Sequence, residues 1–243
     1  MRLHTLGTGP ASGWPSYGVP KNKLRRPSTY LVECGNDAIF IDTGSIEAVI
    51  EGIRRVRKVS TVLISHAHLD HWSGINNLRW GPKVPVYLTK ETLEHRYFSE
   101  IREAPFSLVL NTVEPFREFE VGNVKITPFP LLHIEGTVGF LIKCHDVNLA
   151  YALDTKGLPK ETINFLVENE TKYLIIDSSL RPGEDGNHNS YLDAITIAKE
   201  IGAQLTFLVH LLPHLTENEI IEAANNYGVL IRIPDDGETF QLT

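Results

Sequence analysis

Ser65-His66-Ala67-His68-Leu69-Asp70-His71 sets three imidazoles and a carboxylate within a few residues, directly after the largely apolar run Val59 to Ile64. In an extended chain alternate side chains share a face, so His66 and His68 can approach one ion. Asp70 and His71 lie past a turn and can reach a second. Neutral imidazole and carboxylate suit zinc, manganese or iron alike. The bland alternative, a polar surface loop with chance histidines, fits poorly, because ordinary loops are poor in histidine.

Working outward, the apolar run before this cluster is one of many strand-like segments. They cover 2–6, 29–34, 38–41, 61–64, 84–88, 124–128, 139–144, 148–153, 173–176, 205–209 and 239–242. Helical periodicity falls between several of them: Ile46, Val49, Ile50, Ile53 and Val56 form an apolar stripe with Ser45 as the cap, and further helices are predicted near 160–168, 190–200 and 217–226. Strand pairs with helices outside them predict a mixed α/β fold of two packed sheets covered on both faces. No low-complexity linker, charge block or short repeat breaks the chain, so residues 1–243 read as a single domain.

A site for two ions needs more donors than the first cluster supplies. They stand at later strand ends: His133 follows Ile126 to Leu132, Asp154 closes Leu149 to Leu153, and His210 closes Leu205 to Val209. Polar residues where apolar strands give way to loops can converge on one rim.

Composition narrows the partners. A formal net charge of −7 argues against a nucleic-acid partner held through phosphate neutralisation. The one basic concentration, Lys21, Lys23, Arg25 and Arg26, reads as a solvated loop, with contact to an anionic substrate as the alternative. It lies in the long stretch Gly7 to Pro27, read as a surface loop of the kind that is often functional, whose Trp14 and Tyr17 either line a pocket or cap the core. Gly7-Thr8-Gly9 resembles a phosphate-cradling turn only weakly. Cys34 and Cys144 lack a Cys-x-x-Cys spacing and read as buried thiols in a reducing compartment. With no secretory pattern at Arg2 to Leu6 and no apolar run near the roughly 20 residues that span a bilayer, a cytoplasmic location and no membrane contact are expected. His4, His95 and His145 read as structural or exposed, Ser65 as a cap for the ligand-bearing turn, and Thr137 as facing the pocket. Trp72 and Trp80 are assigned to the core or a pocket rim in preference to a subunit contact, and the sequence leaves a homodimer open.

His66-Ala67-His68-Leu69-Asp70-His71, followed by His133, Asp154 and His210, resembles the metallo-β-lactamase superfamily in its phosphodiesterase-like branch, across nearly the whole chain. The resemblance implies a four-layer α/β/β/α sandwich of two similar halves with two divalent ions at one edge. It assigns His66, His68 and His133 to one ion, Asp70, His71 and His210 to the other, and Asp154 to both. Asp42, in Phe40-Ile41-Asp42-Thr43-Gly44, matches the family's structural aspartate and reads as an orienting carboxylate.

Leu78-Arg79-Trp80-Gly81, Thr112 to Phe116, Asp154 to Pro159 and Asn187-His188-Asn189 are similar to the PhnP-type phosphodiesterases of the carbon–phosphorus lyase pathway. Members of that family open 5-phosphoribosyl 1,2-cyclic phosphate and hydrolyse some cyclic nucleotides. The resemblance gives His188 the place of a non-ligand active-site histidine. One departure stands out: Gly13 to Pro27 lacks the cysteines that hold a structural zinc in the family, so packing must hold that loop, and His214 reads as a leftover or surface residue.

The expected activity is therefore hydrolysis of a small, cyclic phosphodiester, with manganese or zinc (iron is also admissible) and a bridging hydroxide as nucleophile. Catalytic roles fall to His188, Asp70 and Asp154. The competing readings are a tRNA 3′-processing nuclease, disfavoured by the acidic balance, a lactone or thioester hydrolase, and an inactive metal-bound scaffold.

Overall fold

The computed structural model describes residues 1–19 and 21–243. The first half runs β1 (Arg2–Gly7), β2 (Thr29–Cys34), β3 (Asp37–Thr43), α1 (Ile46–Arg55), β4 (Thr61–Leu63), β5 (Val84–Thr89), α2 (Lys90–Glu94), α3 (Ser99–Glu103) and β6 (Leu108–Val113). The second runs β7 (Phe119–Val121), β8 (Val124–Pro130), β9 (Val138–Cys144), β10 (Val147–Ala152), α4 (Lys160–Glu168), β11 (Tyr173–Asp177), α5 (Tyr191–Ile201), β12 (Leu205–Val209), α6 (Glu217–Tyr227), β13 (Ile231–Arg232) and β14 (Glu238–Gln241). The long helices begin where side chains satisfy free backbone N–H groups. Ser45 caps α1, while Ser190 with Asp193 and Thr216 with Glu219 form capping boxes on α5 and α6. Gly202 and Gly228 end α5 and α6 in the left-handed conformation.

Two seven-stranded sheets result, ordered β14-β1-β2-β3-β4-β5-β6 and β13-β12-β11-β10-β9-β8-β7. Each combines antiparallel hairpins with parallel strands: β3 runs parallel to β4, and β10 parallel to β11. The two-residue side-chain period divides each strand between two cores. Tyr30, Val32, Ile39 and Ile41 meet Phe140, Ile142, Tyr151 and Ile175 between the sheets. Their neighbours Leu31 and Phe40 face α1, while Leu174 and Leu208 face the layer of α4, α5 and α6. Three apolar layers between four layers of secondary structure give the expected α/β/β/α sandwich. Each fully buried aliphatic or aromatic side chain contributes roughly 1.5–3 kcal/mol.

Two expectations are corrected. Cys34 and Cys144 are not free thiols but a disulfide, with Cα atoms 6.1 Å apart. Strand parity places both on the inner faces of β2 and β9, so they meet across the inter-sheet core although 110 residues separate them. The arginines of the basic cluster are not solvated, although Lys21 is exposed. Arg25 is fully buried, donating to Thr8 Oγ1 and the Pro234 carbonyl and pairing with Glu217 and Asp235, while Arg26 pairs with Glu51 and Asp236. These contacts tie the loop to the C-terminal segment, so it is held by packing as expected. At Gly7-Thr8-Gly9, where the likeness to an anion cradle was weak, the Asp236 carboxylate accepts from the Thr8 N–H and hydroxyl. Trp14 packs into the outer core, whereas Tyr17 is fully exposed.

Candidate metal centre

The donors gather where strands of both sheets end. β3 terminates at Asp42, which is fully buried with φ +54°, a left-handed conformation that a non-glycine residue adopts only when its surroundings compel it. Its carboxylate accepts from the Ser65 N–H and hydroxyl (both 2.8 Å), from His71 Nδ1 (2.6 Å) and from the Tyr151 hydroxyl. Ser65 thus anchors the start of the histidine-bearing turn. Gly44 is needed beside it, since a Cβ there would stand 2.1 Å from the Asp70 carbonyl oxygen.

Hydrogen bonds fix which ring nitrogen faces inward. The Ser65 hydroxyl donates to Asp42, so at 3.0 Å it accepts from His66 Nδ1, leaving His66 Nε2 as the free acceptor. The Ser179 hydroxyl donates to Asp177 and accepts from His210 Nδ1 (2.9 Å), with the same result for His210. His71 Nδ1 is taken by Asp42, and His133 Nδ1 donates to the Asn187 carbonyl at 3.3 Å. Only His68 turns Nδ1 inward. Such outer partners orient imidazoles for a cation.

Two donor groups emerge. His66 Nε2 and His133 Nε2 stand 3.0 and 3.1 Å from His68 Nδ1, and Asp154 Oδ2 lies 3.9 Å from both Nε2 atoms. In the second, His71 Nε2 is 3.4 Å from both Asp70 Oδ2 and Asp154 Oδ2, and His210 Nε2 is 3.6 Å from Asp154 Oδ1 and 3.9 Å from Asp70 Oδ2. Within each group the donor atoms all lie within 4.8 Å of one another, and Asp154 belongs to both. His71 Nε2, His210 Nε2 and Asp154 Oδ1 are buried without any hydrogen-bond partner. Buried polar atoms left unpaired cost about 1–3 kcal/mol each, so their convergence fits a divalent cation.

The electrostatics agree. Burial holds the His66, His68 and His133 imidazoles below their ordinary pKa, which keeps them neutral and ligating. Burial also opposes charge on His71 and His210, but Asp154 and its fellow carboxylates outweigh it and raise both. Against the same burial, neighbouring imidazoles hold Asp70 and Asp154 well below the carboxylate range. The ionised carboxylates of Asp70 and Asp154 are the negative charges that would attract a divalent cation to these imidazoles.

His188 stands across the cleft. Its Nδ1 is 2.6 Å from Asp177 Oδ2 and its ring stacks on His210 at 5.1 Å. Burial lowers its pKa, yet the Asp177 hydrogen bond and charge prevail and push it up to about 9. His188 also falls in a donor group with Asp154, Asp177 and His210, but its Nδ1 is already occupied by Asp177.

The site thus brings together every donor singled out from the sequence, with Asp42 behind His71. The remaining histidines lie elsewhere. His4 pairs with Glu33, His95 caps a short turn, His145 sits exposed at the β9–β10 hairpin, and half-exposed His214 meets Glu184. Thr137 is buried and bonds the Ile134 carbonyl. Asp177, Ser179 and Tyr151 had not been singled out. For Asp177 a signal existed, since Ile175-Ile176-Asp177 repeats the apolar-strand-then-aspartate pattern of Ile41-Asp42 and Leu153-Asp154.

Residues 29–211 match the family model described as a beta-lactamase superfamily domain. The chain belongs to the metallo-β-lactamase superfamily. Among relatives, an octanoyltransferase of Porphyromonas gingivalis is 26% identical over 237 residues, covering 88% of this chain; the chain spans only 46% of that protein. A ribonuclease Z of Metallosphaera sedula is 22% identical over 97% of both chains. The solved structure of a new diphosphatase from the PhnP family superposes with a TM-score of 0.80 at 22% identity, over 99% of this chain and 97% of the other. Metal-dependent hydrolysis is the activity class that the superfamily and this donor set share.

Proposed function

We propose that residues 1–243 form one catalytic domain, a dinuclear metal-dependent phosphodiesterase acting on a small, cyclic diester such as 5-phosphoribosyl 1,2-cyclic phosphate or a cyclic nucleotide. His66, His68 and His133 would hold one ion, Asp70, His71 and His210 the other, with Asp154 shared; manganese and zinc suit these donors, and iron is admissible. Bound there, the ions supply Lewis acidity toward phosphoryl oxygens and lower the pKa of coordinated water.

The chain's own residues do the rest. Asp154, buried between the two groups, sets their spacing. Asp70 stays ionised at the cleft edge, where it can orient water. His188 is the observation that carries the phosphorus reading. With Nδ1 committed to Asp177, it offers Nε2–H to a phosphoryl oxygen or to the departing alkoxide, which leaves as the alcohol when it takes that proton. The PhnP-family diphosphatase, by its name a hydrolase acting at phosphorus, shares this fold.

The ribonuclease Z relative favours a second reading, cleavage of RNA. A net charge of −7 and the engagement of Arg25 and Arg26 in internal ion pairs weigh against a polyanionic partner. A small molecule is therefore the proposed partner, and a homodimer is compatible with it. No helix among the described residues is long and apolar enough to cross a membrane. The cytoplasmic placement loses its free-thiol support, because disulfides belong with oxidising compartments.

Purified protein loaded with manganese or zinc is expected to hydrolyse bis(p-nitrophenyl) phosphate. Replacement His188→Ala should lower kcat on the order of 10²–10⁴-fold with metal content unchanged. Two bound ions without turnover of any diester would favour the scaffold reading, and loss of metal in His188→Ala would show that His188 is a ligand.

A further inference from the structure

The cleft, about 530 Å³, has two unlike sides. One is the set of imidazoles and carboxylates described above. The other is a wall of Ala11, Leu69 and Tyr97. Leu69 and Tyr97 remain 58% and 47% exposed, so their apolar surface is available to a ligand.

Leu69 and Tyr97 are both tied to the donor-bearing turn. Leu69 opens the short turn whose next residues are Asp70 and His71. Tyr97 sits beside Phe98, which is fully buried with its ring 5.2 Å from Trp72, the residue after His71. The Tyr97 ring is held before anything binds: the Arg96 guanidinium lies 4.8 Å from its centroid and donates to its hydroxyl at 3.0 Å, and His95 abuts it edge-on at 4.8 Å. An aromatic ring already immobilised loses little conformational entropy when a second ring stacks on it.

Among the described residues that line the cleft there is no lysine or arginine. The loop cations Lys23, Arg25 and Arg26 are engaged by Glu217, Asp235, Asp236 and Glu51, and Arg96, outside the lining, leans on the Tyr97 ring and donates to its hydroxyl. A second phosphate on the substrate would find no guanidinium or ammonium among the lining residues. A flat uncharged ring would find Tyr97 and Leu69.

Resting on the phosphodiesterase reading, we infer that the cleft selects diesters bearing a flat, uncharged ring, an aryl group or a nucleobase, over diesters bearing a second phosphate. The test uses the zinc-loaded full chain and two non-hydrolysable probes, phenylphosphonate and methylphosphonate, titrated calorimetrically. Phenylphosphonate is expected to bind about tenfold more tightly, in line with base–aromatic stacking. Tyr97→Phe should keep that ratio, and Tyr97→Ala should bring it near unity with zinc content unchanged. In parallel, a 2′,3′-cyclic nucleotide should exceed 5-phosphoribosyl 1,2-cyclic phosphate in kcat/KM. Equal binding of both probes by the wild type, a ratio untouched by Tyr97→Ala, or preference for the phosphorylated sugar overturns the inference. Ring discrimination without turnover of any diester overturns the phosphodiesterase reading and leaves the ring-binding wall supported.

Discussion

Asp177 shows how one buried carboxylate can serve several groups at once. Its Oδ2 accepts from His188 Nδ1 and the Thr155 N–H, and its Oδ1 from Ser179, which in turn holds His210. Asp177→Asn keeps the shape but removes an acceptor from His188, so it is expected to lower kcat while KM and metal content stay close to wild type. Ser179→Ala leaves His188 alone and frees His210 Nδ1. Its expected effect is instead a loss of metal affinity on the order of 10–100-fold, read by competition with a chelating dye. Were the two variants to behave identically, the division of labour drawn from these hydrogen bonds would be wrong. The donors themselves were legible from sequence because histidine clusters are rare and each later donor ends an apolar run. Ser179 and Tyr97 were not, since a lone hydroxyl or tyrosine has many ordinary uses and only folding brings it to the site.

At the scale of elements, the site depends on close passage of backbone at the ends of β3 and β4. Gly44→Ala would place a methyl 2.1 Å from the Asp70 carbonyl oxygen and 2.8 Å from Pro27. Overpacking of this kind costs typically about 1–3 kcal/mol. The shift should fall on the Asp70–His71 turn, so calorimetric melts are expected to show a lower Tm and metal analysis a weakened second ion. The strands and helices around this turn were readable because apolar periodicity and caps coincide, as at Ser45 in α1 and Ser190 in α5. Three strands were missed. β6 is largely half-exposed, and β7 and β13 are three- and two-residue edges whose pairing comes from the neighbouring strand rather than from their own pattern.

Across the whole molecule, contacts distant in sequence join the halves and the loop. Oxidised Cys34–Cys144 closes a long loop, a constraint worth up to about 4–5 kcal/mol in the chain-entropy view. Denatured protein should therefore show no titratable thiol until reduced, and reduction should lower Tm; two free thiols before reduction would contradict the pairing. Neither cysteine advertised its partner, because strand parity and sheet packing, not spacing, bring them together. Glu51 gives a pH test. Burial would raise its carboxyl, but hydrogen bonds and charge from Arg26 and Arg55 hold it below the ordinary value of 4.5. Its contribution is complete above that value and fades as pH falls through the lower folded pKa. Glu51→Gln should cost less than about 1 kcal/mol at neutral pH and converge with wild type in strong acid. In the proposed site, seven side chains from both halves meet around two cations. Anomalous diffraction from crystals grown with zinc is expected to show two peaks, one among His66, His68 and His133, the other among Asp70, His71 and His210, both touching Asp154. A single peak, or peaks away from these atoms, would contradict it.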